Sequence, residues 1–155
     1  MSTDLQELAE ISSPDSDIRA RVSNTMVGLY KASFGRGPTK ARTDWLGDDT
    51  LIVVLEHTLT QAESNLVRMG EHGRLRDTRT VFQYANAREF CEPIEVITGR
   101  KVRAFVSGID TEADGLSTMM FVLHPDGYDG PSRIGWVPRS GDRRRSRKSS
   151  EPETA

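Results

Sequence analysis

Thr39-Lys40-Ala41-Arg42-Thr43-Asp44-Trp45-Leu46-Gly47-Asp48-Asp49-Thr50-Leu51-Ile52-Val53-Val54-Leu55-Glu56-His57-Thr58 reads as a β-hairpin. From Thr39 to Trp45 the side chains alternate in character, and Leu51 to Thr58 is a β-branched apolar run. Gly47-Asp48-Asp49 between them is turn chemistry: glycine accepts positive φ at no steric cost, and Asp side chains bond their own backbone. The two runs are therefore expected to pair antiparallel.

Upstream, a helix is expected from about Asp15 to Phe34, with Ser16 as N-cap and Asp17 placing a negative charge in its first turn. Ile18, Val22, Met26, Leu29 and Ala32 recur at helical spacing. Gly35 stands where a left-handed residue ends a helix, and Pro38 prevents continuation. Downstream, Thr60-Gln-Ala-Glu63 has capping-box form and opens a short helix that stops at Gly70. A longer helical pattern runs from Gly73 to Thr98 through Leu75, Thr78, Phe82, Ala85, Glu89, Phe90, Ile94 and Ile97. Pro93 should kink it near Glu89–Cys91, and Gly99 closes it. A second hairpin follows, Lys101 to Ser107 and Leu116 to Leu123, around the loop Asp110–Gly115. The order α-β-β-α-α-β-β implies an α+β fold, with both hairpins in one four-stranded antiparallel sheet and the helices on one face. Residues 1–14 read as a mobile arm, 15–124 as a single domain and 125–155 as a loop-rich basic tail. Ile134-Gly-Trp136-Val137 is expected to dock before that tail.

At 155 residues the chain is long enough for one proper core. The longest apolar run, Leu51–Leu55, is far short of the roughly 18 residues that span a bilayer, and the acidic N-terminus has no secretory pattern. A single cysteine, Cys91, excludes an internal disulfide and fits a reducing cytoplasm. The net charge of −2 hides an asymmetry. Residues 1–138 hold 15 basic and 20 acidic side chains, a balance of −5; residues 139–155 hold 6 and 3, a balance of +3. Nucleic acid is expected to meet this chain only through that tail, if at all; the plain reading is a solvated, charged terminus.

The candidate site is the glycine-bounded segment Gly35-Arg36-Gly37-Pro38-Thr39-Lys40-Ala41-Arg42. Lys40 and Arg42, two apart on a strand, share a face, and Arg36 lies in the preceding turn. Glycine lets backbone N–H groups approach an anion, and guanidinium forks grip phosphate or carboxylate. Two readings stand: an anion site at Arg36, Gly37, Lys40 and Arg42, or a helix-stopping turn that leads into a strand with a basic outer face. It is no Walker A loop, for no Gly-Lys-Ser/Thr occurs and no helix follows. Asp110-x-Glu112-x-Asp114-Gly115 imitates the start of an EF-hand loop, but Phe121 stands where the bidentate Glu belongs. The segment Arg74–Arg79 reads as a solvated helix face with local ion pairs. His57, His72, His124 and Cys91 show no metal-ligand spacing, and Cys91 reads as a small buried hydrophobe. No metal, cofactor or catalytic residue is assigned.

The segment from Gly35 to Arg42, followed by Leu51–Glu56 and Leu59–Glu63, resembles MpsC, a bacterial domain named after a sodium-translocating, membrane-potential-generating system. Thr98–Val102 and Phe105–Asp110 fit the same pattern, and the resemblance covers about Ile18 to Leu123. It implies a small cytoplasmic α/β protein and carries over no catalytic residue. With no segment able to cross a bilayer, it implies an accessory or regulatory component that binds a protein partner, a membrane transport component; the basic turn adds the expectation of a small anion. The other expectation kept open is an enzyme acting on a phosphate- or carboxylate-bearing substrate. A homodimer is left open as well.

Overall fold

The computed structural model describes residues 14–135. Eight elements follow in order: α1 (Pro14–Phe34), β1 (Lys40–Leu46), β2 (Thr50–Glu56), α2 (Gln61–Arg68), α3 (His72–Ala85), α4 (Ala87–Thr98), β3 (Val102–Asp110) and β4 (Leu116–Leu123). The two hairpins join through β2 and β4 into one antiparallel sheet of order β1-β2-β4-β3. The fold is thus the expected α+β arrangement. The arm and the basic tail expected from the sequence lie outside the described residues, apart from Pro14 and residues 125–135. Of the expected docking segment, Ile134 packs against the core and Arg133 N donates to Val102 O at 2.9 Å. Trp136 and Val137 lie outside the described residues.

One sheet face carries the core. Leu51, Val53 and Leu55 of β2 and Met119, Phe121 and Leu123 of β4 are buried, as the period of two requires of residues sharing a face. Helix α1 lays Val22, Met26 and Tyr30 on them at a spacing of four, with Ile18 and Leu29 partly buried beside. Ala32 is exposed, because Tyr30 takes the last inward position. Pro14 starts the helix, a favoured first position, so Ser16 lies within the first turn and not at its cap. Thr43 is the buried polar residue of β1, and its hydroxyl meets Ser23 of α1 at 2.8 Å. Phe90, Phe105 and Phe121 stack in series at 6.1 and 5.2 Å, tying α4 to β3 and β4. Full burial of each such ring contributes about 1.5–3 kcal/mol.

The long helical pattern is broken elsewhere than expected. The chain leaves the helical path at Asn86 (φ −103, ψ 22), and Pro93 lies inside an unbroken α4. Asn86 ends α3 through two bonds to Phe82 O, from its backbone N at 3.1 Å and its side chain at 2.9 Å. The turn there lets Ala87, Phe90, Cys91 and Ile94 face the core, which a straight continuation of α3 does not do. The buried stripe of α3 is Leu75, Arg79 and Gln83, while Thr78 and Phe82 point outward. The Arg74–Arg79 segment is therefore not all solvated face. Arg74 pairs with Glu71 at the surface, but Arg79 is inside.

Candidate functional site

Four chain segments meet where β1 begins, β2 and β3 end and β4 begins. After Glu56 the chain turns sharply at His57, which holds a left-handed φ of 57°. Thr58 then points inward, and its hydroxyl donates to Gly115 O at 2.6 Å and lies 2.9 Å from Ser117 Oγ. Leu59 packs so closely on Gly115 (φ 72°) that a Cβ there would come within 2.6 Å of Leu59 Cγ. Thr60 caps α2 as expected: its hydroxyl accepts from Glu63 N at 3.2 Å, and Glu63 Oε1 accepts from Thr60 N at 2.9 Å.

Glu63 does more than close this box. Its carboxylate takes both arms of the Arg79 fork, Nε at 2.5 Å and Nη2 at 2.8 Å, and Nη2 also donates to Thr58 O at 2.7 Å. The Arg79 guanidinium lies 4.2 Å above the Phe34 ring, a cation–π contact. Partial burial pushes the Glu63 carboxyl up; the bonds from Arg79 and Thr60 and the Arg79 charge outweigh this and hold it below the usual range. Gln83 donates to Tyr30 Oη at 2.6 Å. Burial raises the Tyr30 phenol despite the nearby Arg79 charge. Arg79 Nη1 and Gln83 Oε1 are buried without a protein partner and border a cavity of about 10 Å³ beside Ser107 and Ser117. That is the scale of one water, which can accept from the one and donate to the other.

Outside this buried network lies an open cavity of about 260 Å³ lined by Arg36, His57, Leu59, Ser64 and Asp114. Arg36 reaches Leu59 O at 3.5 Å, and His57 Nδ1 lies 2.5 Å from Thr39 Oγ1. His57 and Asp114 are the non-glycine residues with positive φ among those described, and both line this cavity. Such conformations cost of order 1–3 kcal/mol each and gather where a structure needs a special geometry.

The sequence-based site residues divide. Gly35 takes the expected left-handed φ of 74° and donates to Lys31 O, ending α1 and delivering Arg36 to the cavity. Gly37 packs against Val27 and Lys31 of α1. Lys40 and Arg42 share the exposed face of β1, opposite Glu56 and Val54, and neither lines the cavity. The structure thus brings Arg36 to His57, Ser64 and Asp114, partners the sequence did not single out. Asp110, from the EF-hand-like loop, accepts from Glu112 N and Ala113 N and serves as a turn maker. Among the described residues no group of three or more His, Cys, Asp or Glu is placed to hold a metal ion. Cys91 is fully buried, and burial pushes its thiol up to about 12, away from nucleophilic chemistry.

These features define an α+β domain with a helix-covered sheet and a polar cavity at one sheet end. The family model described as "Na+-translocating membrane potential-generating system (MpsC)" matches residues 15–124, and the chain belongs to that family. Comparison with curated proteins and with solved structures gives no match. Among the described residues no helix is long and apolar enough to cross a membrane.

Proposed function

We propose that this chain is a non-enzymatic cytoplasmic module that binds a protein partner within a membrane ion-transport system and holds a small anion at the turn after α1. The observation that carries this reading is the cation end of the sheet. Arg36 opens onto a cavity with an imidazole, a hydroxyl and, at its rim, the Asp114 carboxylate, and Lys40 and Arg42 stand exposed on the adjoining strand. Guanidinium, imidazole and hydroxyl donors suit an oxyanion. Family membership supports the transport setting. In the host, deleting this chain should lower the sodium-dependent membrane potential, read with a potential-sensitive dye; an unchanged potential removes the accessory role.

The anion is tested separately. Phosphate or pyrophosphate at a hundredfold excess over its Kd stabilises the native state by about 2.7 kcal/mol, so the melting temperature rises, less so as salt increases. Replacing Arg36, Lys40 and Arg42 with Ala should abolish the rise without unfolding the chain. An equal rise in the triple variant shows that the anion sits elsewhere.

A second reading rests on His57 and Asp114. An imidazole and a carboxylate held in strained backbone beside Arg36 have the makings of acid–base catalysis on a phosphate- or carboxylate-bearing substrate. Turnover of such a substrate, lost in His57→Ala while anion binding persists, would favour the enzyme over the binding module.

A further inference from the structure

Among the described residues no helix packs on the second face of the sheet, and its two central strands turn Ile52, Val54, Met120 and Val122 to that side. Its residues follow from the register. The row Arg42–Val54–Thr118–Gly108 runs across β1, β2, β4 and β3, and the next row is Asp44–Ile52–Met120–Val106. None of these eight belongs to the buried core, and Val106 is 47% exposed. The apolar side chains of β2 alternate onto both faces, Leu51, Val53 and Leu55 inward and Ile52 and Val54 outward. An antiparallel sheet with one solvated face normally carries polar residues on that side. Strands that are apolar on both sides belong in sheets covered on both.

We infer that this face is the contact between two copies of the chain, related by a two-fold axis that crosses the strands between these two rows. The operation lays each row on the other. Gly108 then meets the partner's Val106, Thr118 meets the partner's Met120, and Val54 meets the partner's Ile52. In two of these three pairs a smaller residue opposes a larger one, which lets the two pleated surfaces interdigitate, as packed sheets do at about 10 Å separation. At the β1 rim Arg42 falls on the partner's Asp44, twice by symmetry. Asp44 is 64% exposed in its side chain, and its contact with Arg19 at 3.6 Å leaves it room for a second cation. The outer rows bring no like charges together: Lys40 faces the partner's Leu46, and Asp110 the partner's Ala104. This is the self-complementarity an isologous interface demands. Four strands of about seven residues cover roughly 19 by 23 Å. That lies at the low end for specific interfaces. Arg42 then serves the dimer and Lys40 lies at its margin, which leaves Arg36 at the cavity for an anion.

Sedimentation velocity of the full chain across the micromolar range tests this. The wild type should pass from monomer to dimer, and Met120→Glu should remain a monomer with unchanged circular dichroism. Val106→Lys, at an exposed edge position, is a second disruptor that spares the core. Arg42→Asp or Asp44→Arg alone should raise Kd about tenfold or more by setting like charges together, and the double exchange should restore it. A wild type that stays monomeric, a dimer that survives both Met120→Glu and Val106→Lys, or a double exchange no better than the singles overturns the inference. So does a monomer that begins to dimerise only when residues 1–13 are deleted, since the arm would then be the occupant of the face.

Discussion

Arg79 illustrates why single residues decide more here than local composition does. It stands in a run of exposed cations, yet it is 3% exposed and anchors α3 to the segment joining β2 and α2. A guanidinium can sit there because its partners are preset: Glu63 is fixed by its own capping box, and Thr58 O is left free by the turn at His57. Removing one member of a buried pair strands the other, at a cost of about 3–5 kcal/mol. Arg79→Met should therefore lower stability by that order in denaturant unfolding. Arg79→Met combined with Glu63→Gln should cost clearly less than the sum of the two singles, because no unpaired charge remains. The depressed Glu63 carboxyl adds a pH signature. Its folded pKa lies below the ordinary 4.5, so the unfolded chain takes up the proton first as pH falls. The stabilisation is complete above 4.5 and is lost as pH drops through the folded value. The melting temperature of the wild type should exceed that of Glu63→Gln near neutral pH, and the two should converge in acid. A constant gap would mean that the carboxylate charge contributes nothing.

At the scale of elements, signals that act within a few residues were legible and signals that depend on distant packing were not. The hairpin at Gly47, the glycine stop at Gly35 and the capping box at Thr60 are local chemistry, and all stand where the sequence puts them. The break at Asn86 was not legible, because Pro93 is the louder local signal. The chain turns at Asn86 so that Phe90 and Ile94 can meet a sheet built partly from residues later in sequence. The stripe of α3 was misread for a related reason: Phe82 is more hydrophobic than Gln83, yet the partners awaiting α3 are the buried Tyr30 and the partly buried Glu63, which are polar. The β3–β4 loop shows the same dependence in a testable form. Gly115 is needed both for its φ of 72° and for the close approach of Leu59. Gly115→Ala should destabilise by more than the roughly 1 kcal/mol that a left-handed conformation alone costs a residue with a Cβ. Adding Leu59→Ala should recover part of the loss in thermal melts, since it removes the clashing side chain. If the double variant is no better than the sum of the singles, the contact with Leu59 is not what the glycine protects.

Taken as a whole, the molecule places its ordinary chemistry outside and its one thiol inside. Much of the α+β plan could be read from sequence, because periodicity and turn residues act along the chain. Of the polar end, only Arg36 could be read, since His57, Ser64 and Asp114 come together through the pairing of β2 with β4. A carboxylate and an imidazole separated by 57 positions carry no joint signature in one sequence. Cys91 marks the opposite extreme and reports on global cooperativity. It is fully buried on α4, within the cluster that joins α1, the sheet and Phe90. Burial, moderated by Arg133, lifts its thiol from 9.0 to about 12, so at mildly alkaline pH the native chain carries far less thiolate than the unfolded one. Access is closed as well, and an alkylating reagent should reach Cys91 only when the chain opens. Where reclosing is faster than alkylation, the labelling rate should follow the equilibrium population of the open state, rising with denaturant with a slope equal to that of global unfolding. Arg79→Met, destabilised by several kcal/mol, should label faster by the factor its unfolding free energy dictates. Labelling at a rate independent of denaturant would show that α4 detaches locally while the sheet remains folded, and that this helix is not part of a single cooperative core.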